Sequence, residues 1–230
     1  MNPIILIHGA LGAQSQLKGL ADELSALGKR AFLIDLAGHG GKPFRSTGFG
    51  IEAFADDLNE FIGQHRIDGA DVFGYSMGGY VALWLALNQP GKLGRIITLG
   101  TKFDWDSTSA QREVNKLNPE KILLKIPAFA RILEHRHKPL DWKELMSKTG
   151  EMMLALGTKP LLTLENARHI TNNTLVLLGD QDDMADASFS KSFALALPHG
   201  TFITLDRTPH PIERVDVTRL ANLILGFTKD

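Results

Sequence analysis

Residues 74–78 read Gly-Tyr-Ser-Met-Gly, and Gly79 extends the run. This spacing constrains the fold more than any other feature of the chain. A serine held in an unfavourable backbone conformation on a sharp turn needs very small neighbours two positions away. Larger side chains there collide as the flanking elements close up. Upstream, Ala70-Asp71-Val72-Phe73 reads as a short buried strand. Downstream, Tyr80 to Asn88 contains neither glycine nor proline and reads as a buried helix, stopped by Pro90. Strand, glycine-flanked serine, helix is the context in which such a serine sits with its hydroxyl exposed.

The rest of the chain repeats the strand-then-helix rhythm. Short apolar runs at Ile4–Ile7, Ala31–Leu36, Asp71–Phe73, Ile96–Leu99, Leu175–Leu178 and Thr201–Leu205 alternate with amphipathic stretches. Leu17, Leu20, Leu24 and Leu27 line one helix face; Ile51, Phe54, Ala55, Leu58, Phe61 and Ile62 line another. Ala187 to Leu197 and Val215 to Phe227 read as two further helices. Alternation of this kind predicts an α/β chain with a mostly parallel six-strand sheet flanked by helices.

Residues 102–170 break the rhythm. They contain no clear strand, and Pro119, Pro127 and Pro139 divide them into helical pieces: Ser109–Leu117, Glu120–Ile126, Ala128–His135 and Trp142–Leu156. The stretch is too long for a simple loop. It reads as a helical insertion ahead of the fifth strand, near the sheet ends that carry the serine turn.

Composition removes several alternatives. At 230 residues and 43% hydrophobic content, the chain can bury one sizeable core. It has no cysteine, which excludes disulfides, thiol catalysis and cysteine-ligated metal. A net charge of −1 gives no general electrostatic reason to bind nucleic acid or an anionic membrane. The apolar run after Met1-Asn2-Pro3 is too short for a signal peptide. No segment reaches the roughly 18 apolar residues of a span. A soluble cytoplasmic protein with no membrane or nucleic-acid partner is the expectation.

The serine turn in this setting resembles the α/β-hydrolase superfamily. The resemblance covers a core of residues 1–101 and 171–230, with residues 102–170 as a helical lid. It implies a catalytic triad in the order Ser, Asp or Glu, His. Ser76 matches the nucleophile. Gly179-Asp180-Gln181-Asp182 follows the penultimate strand, and the family's Gly-x-x-Asp selects Asp182 as the acid, over Asp180, Asp183 and Asp186. His210, after the last strand in Thr208-Pro209-His210-Pro211, matches the base; His199 is its nearest rival. His8-Gly9-Ala10-Leu11 resembles the family's oxyanion loop. It implies backbone donors at Ala10 and Met77, with Leu11 as the fallback for Ala10. His8 and the His39 of Gly38-His39-Gly40 are expected to be structural, and His65, His135, His137 and His169 to lie on the surface. The chain departs from the family in two places. Pro209 stands where a glycine usually precedes the histidine, and the expected sheet lacks the family's N-terminal strand pair, with an edge expected to be exposed or used in dimerisation.

The resemblance implies acyl transfer by a carboxylesterase-like enzyme, with no metal or organic cofactor. A lyase, a carbon–carbon bond hydrolase, or a binding or signalling protein with little turnover are the alternatives on the same frame. Leu11, Tyr75, Met77, Phe103, Trp105, Trp142, Met152, Met153, Leu154 and Leu156 are candidates for an apolar pocket, suited to an aliphatic or aromatic acyl group. Monomer and homodimer both remain open.

Overall fold

A computed structural model describes residues 2–229. The chain runs β1 (Ile4–Ile7), α1 (Lys18–Ala26), β2 (Ala31–Ile34), α2 (Ile51–His65), β3 (Asp71–Tyr75), α3 (Met77–Asn88) and β4 (Ile96–Leu99). Four helices follow: α4 (Ser107–Val114), α5 (Pro119–Lys125), α6 (Pro127–His137) and α7 (Trp142–Thr158). The chain then completes the sheet with β5 (Thr174–Gln181), α8 (Ala187–Ala196), β6 (Gly200–Pro209) and α9 (Val217–Thr228).

The strands form one six-stranded sheet in the order β2-β1-β3-β4-β5-β6, with every neighbouring pair parallel. Helices cover both faces, so the strands read as continuous apolar runs. Alternate residues go to opposite sides. Ile5, Ile7, Val72 and Val176 pack with Phe54, Leu58, Val81 and Phe193 of α2, α3 and α8. Ile4, Leu6, Phe73 and Leu175 pack with Leu20, Leu24, Leu220 and Ile224 of α1 and α9. Buried residues occur all round α3, which is why its sequence shows no polar stripe.

Strand ends depart from the apolar runs. β2 stops at Ile34; Asp35 beyond it turns its carboxylate to the Gln14 amide at 2.8 Å. β5 and β6 run on to Gln181 and Pro209, through the exposed Asp180, Gln181, Asp206 and Arg207. Their polar side chains hid the extension, which solvent at the sheet's rim permits. Glu213 lies in a short 3-10 turn (Ile212–Arg214) ahead of α9.

Residues 102–170 supply α4 to α7 and no strand. Pro119 and Pro127 open α5 and α6, where a missing N–H costs nothing. Ile122, Ala130, Leu133, Trp142 and Met146 form a small core of their own, against which Leu11 and Leu117 pack.

Candidate active site

Ser76 occupies the turn between β3 and α3 with φ 50° and ψ −116°, a conformation side chains rarely adopt. The turn is held from both sides. The Ser76 N–H donates to the Leu99 carbonyl at 2.8 Å, and the Thr101 hydroxyl donates to the Ser76 carbonyl at 2.8 Å. The flanking glycines are needed for space. A Cβ on Gly78 would stand 2.7 Å from the His8 carbonyl oxygen, and one on Gly74 would strike the backbone of Gly78 and Gly79.

Strand register delivers the next pair. β5 and β6 stay paired to Gln181 and Pro209, after an irregularity between Gly179 and Gln181. Asp182 and His210 are the residues that immediately follow the two strands. The His210 Nδ1–H donates to Asp182 Oδ2 at 2.7 Å. The other carboxylate oxygen accepts the Met184 and Ala185 amides at 2.9 and 3.1 Å. Burial alone would raise the Asp182 carboxyl. The His210 hydrogen bond and charge, with the two amides, outweigh it and hold the group below the ordinary carboxylate value. Asp180 instead accepts the Thr208 amide, Asp186 caps α8 through the Phe189 amide, and Asp183 is exposed.

Three residues outside the pair fix its position. The Tyr75 hydroxyl donates to the His210 carbonyl at 3.0 Å. Gly100, at φ +64°, lies beneath both side chains; a Cβ there would stand 3.1 Å from Asp182 Oδ2 and 3.2 Å from the His210 ring. The buried Lys102 ammonium bonds Asp104 at 2.5 Å and the Met184 carbonyl at 3.2 Å, tying the end of β4 to the loop that holds Asp182. Nothing in the local sequence around Lys102 signals this role.

The loop after β1 is held by histidines. Leu11 adopts φ 56°, and its carbonyl accepts two bonds from α6: Arg136 at 2.9 Å and His137 Nε2–H at 3.0 Å. The other ring nitrogen of His137 accepts the Gly40 amide at 3.1 Å, which fixes a neutral tautomer. Burial, with Arg136 and His8 nearby, pushes this imidazole down to about 4. His137 is fully buried, which corrects its reading as a surface residue; His65, His135 and His169 are exposed. His8 is buried too, donating from Nδ1 to the Gly9 carbonyl at 2.8 Å and accepting the Leu36 amide at 3.2 Å. Burial lowers its pKa, and that of His39 more strongly. Arg136 also lies 3.5 Å from Glu213, so α6 reaches the segment after His210 as well as the loop after β1.

A family described as alpha/beta hydrolase fold matches residues 2–212. The chain belongs to the α/β-hydrolase family. It is similar to sn-1-specific diacylglycerol lipase ABHD11 from Danio rerio, 32% identical over 98 residues, 42% of this chain and 31% of that protein. It is similar also to a probable alcohol acetyltransferase from Saccharomyces cerevisiae, 35% identical over 92 residues, 38% of this chain and 27% of that protein. The matched stretch thus spans less than a third of either relative. An esterase from Exiguobacterium antarcticum superimposes with a TM-score of 0.78 at 18% identity, covering 100% of this chain and 92% of that one. At that identity the likeness concerns the fold.

In this α/β-hydrolase, Ser76 and His210 line one cleft of about 780 Å³, its open mouth included. Of the pocket candidates, Tyr75, Met77, Trp105, Met152, Met153 and Leu156 line it too, as does Ala10. Four expected residues do not. Phe103 is buried in the core, stacked on Phe193 with ring centroids 3.9 Å apart. Trp142 fills the small core of the inserted helices, Leu11 packs against that core, and Leu154 faces solvent. Ile51, Tyr80, Lys102, Leu117 and Met184 complete the wall. Ile51 and Tyr80 come from α2 and α3, whose apolar residues read in sequence simply as core.

Proposed function

We propose that this protein is a serine hydrolase that cleaves a carboxylic ester or related acyl bond through an acyl-enzyme on Ser76. The observation that carries the reading is the 2.7 Å His210–Asp182 bond, in a cleft whose wall includes the strained Ser76. His210 removes the Ser76 proton as the hydroxyl attacks the carbonyl. Asp182, kept ionised, orients the ring and stabilises its cation. Met77 begins α3, where its N–H has no partner within the helix, and Ala10 lines the same cleft; their amides receive the oxyanion. His210 then protonates the leaving group and activates the water that releases the acid. No cofactor takes part in this scheme.

Residues 102–170 act as the lid, and Trp105, Leu117, Met152, Met153 and Leu156 give it an apolar inner wall. That wall favours an aliphatic or aromatic acyl group over a highly charged one. One relative is named a diacylglycerol lipase and another a probable alcohol acetyltransferase. An acyl-enzyme resolved by water or by an alcohol accommodates both names. The test is fluorophosphonate labelling together with nitrophenyl esters of graded chain length. Labelling and hydrolysis are expected, and both should vanish in Ser76→Ala. Hydrolysis unchanged in His210→Ala would remove the base from this scheme.

A further inference from the structure

The inserted helices have an outer face that the site does not use. α5 and α6 turn Ile122, Ala130 and Leu133 inward. Outward they expose Leu123 (39%), Leu124 (81%), Ile126 (54%) and Ile132 (49%). Nine large apolar side chains are exposed among the described residues, and four of them fall in this stretch. Exposed leucines scattered singly are ordinary; a cluster marks a surface that something covers.

Cations are interleaved with the cluster. Lys121, Lys125 and Arg131 are exposed, and none has a carboxylate within ion-pair distance among the described residues. Residues 118–138 carry five Lys or Arg and two Glu, in a chain of net charge −1. The whole-chain charge, which argues against an anionic membrane, averages over this uneven distribution.

We propose that the outer face of α5 and α6 docks the protein on an anionic lipid surface. Apolar side chains would enter the acyl boundary while the lysines and arginine meet the headgroups. A second copy fits the face less well, because a two-fold contact would set these cations against their own copies. A folded partner would need carboxylates and apolar pockets in matching register; a fluid bilayer supplies both without register. The proposed contact lies at the lipid surface; no described helix is long and apolar enough to cross a membrane. Leu117, just before α5, lines the Ser76 cleft, so docking would hold that cleft beside the bilayer. On the hydrolase reading, on which this one consequence rests, the substrate is an acyl ester dissolved in lipid.

Flotation of the full chain with vesicles of phosphatidylcholine, alone or mixed with phosphatidylglycerol, tests the docking. The wild type should float with the mixed vesicles, more weakly with the neutral ones, and less as salt rises. Leu124→Ser with Ile126→Ser should weaken binding by about tenfold or more. Each of Lys121→Gln, Lys125→Gln and Arg131→Gln should weaken it about fivefold on mixed vesicles only. All of these variants should hydrolyse a water-soluble acetate ester like the wild type, which also reports that they fold. No flotation of the wild type overturns the proposal. So does a concentration-dependent dimer that Leu124→Ser dissolves, or vesicle binding that neutralising all three cations leaves unchanged. A wild type that floats but cleaves no ester sinks the hydrolase reading and leaves the docking intact.

Discussion

Gly100→Ala tests whether the Asp182–His210 pair sets the rate. Gly100 has φ +64°, and its amide is pinned to the Leu177 carbonyl at 3.0 Å, so the backbone has little room to relax. An alanine in that conformation costs about 1–2 kcal/mol. Its Cβ would meet Asp182 Oδ2 at 3.1 Å and His210 Cε1 and Nδ1 at 3.2 Å, tighter than ordinary contact. The two side chains must therefore yield by a few tenths of an ångström. Since about 1 Å of misplacement costs about 100-fold, a shift of that size should lower kcat about tenfold while KM changes little. Thermal unfolding should drop by about 3–6 °C. Gly63→Ala is the control: it lies within α2 with open space around it, so it should stabilise by about 0.5–1 kcal/mol and leave kcat alone. Acetate-ester kinetics, fluorophosphonate labelling rates and melting curves on both variants decide the matter. A Gly100→Ala protein that melts earlier yet keeps the wild-type kcat and labelling rate would falsify the claim that this pair drives the chemistry.

Asp182→Asn keeps the shape but reverses the hydrogen-bond demand on His210 Nδ1; kcat for ester hydrolysis at neutral pH should fall about 1,000-fold or more. His137→Ala leaves the Leu11 carbonyl beside Ala10 held by Arg136 alone, and kcat should fall about tenfold with KM little changed. His137→Gln, which can donate to Leu11 and accept from Gly40, should recover most of that loss; equal loss in both variants would argue that the ring matters only as filler. Acid stability follows from the same residue. Its neutral form is favoured by folding, with a pKa of about 4 against 6.5 in the unfolded chain, so the unfolded state takes up the proton first. Stability should therefore fall as pH drops from about 6.5 toward 4, by at most about 3 kcal/mol from this group. His8 and His39, lowered by burial, act in the same direction, whereas Asp182 gives way only below the ordinary carboxylate value. Melting temperatures across that range should show the decline, and His137→Gln should flatten it.

What could be read from sequence was whatever short-range sterics or strand order dictates. Ser76 was legible because its turn needs glycines at fixed offsets. Asp182 and His210 were named by the resemblance, through its Gly-x-x-Asp pattern and a histidine after the last strand, and the structure brings those two side chains together. Even so, the continued pairing of Gln181 with Pro209 was not visible, since exposed polar residues carry it. The cleft wall was half legible. An apolar residue reads alike whether it faces a cavity or fills a core, so Phe103 and Trp142 were expected where Tyr80 and Leu117 stand.

Contacts that join segments distant along the chain leave no local mark. Lys102 reaching Met184 and Arg136 reaching Leu11 are of this kind. His137 is the instructive exception. Ala130, Leu133 and His137 recur at helical spacing and are the buried residues of α6. That stripe was present in the sequence, and it places the imidazole on the inward face among apolar neighbours. A histidine there must either charge at a large desolvation cost or find a donor and an acceptor while neutral. The Gly40 amide and the Leu11 carbonyl meet the second condition. The stripe therefore predicts a neutral histidine wedged against backbone; which backbone it meets is settled only by the fold of the loop after β1.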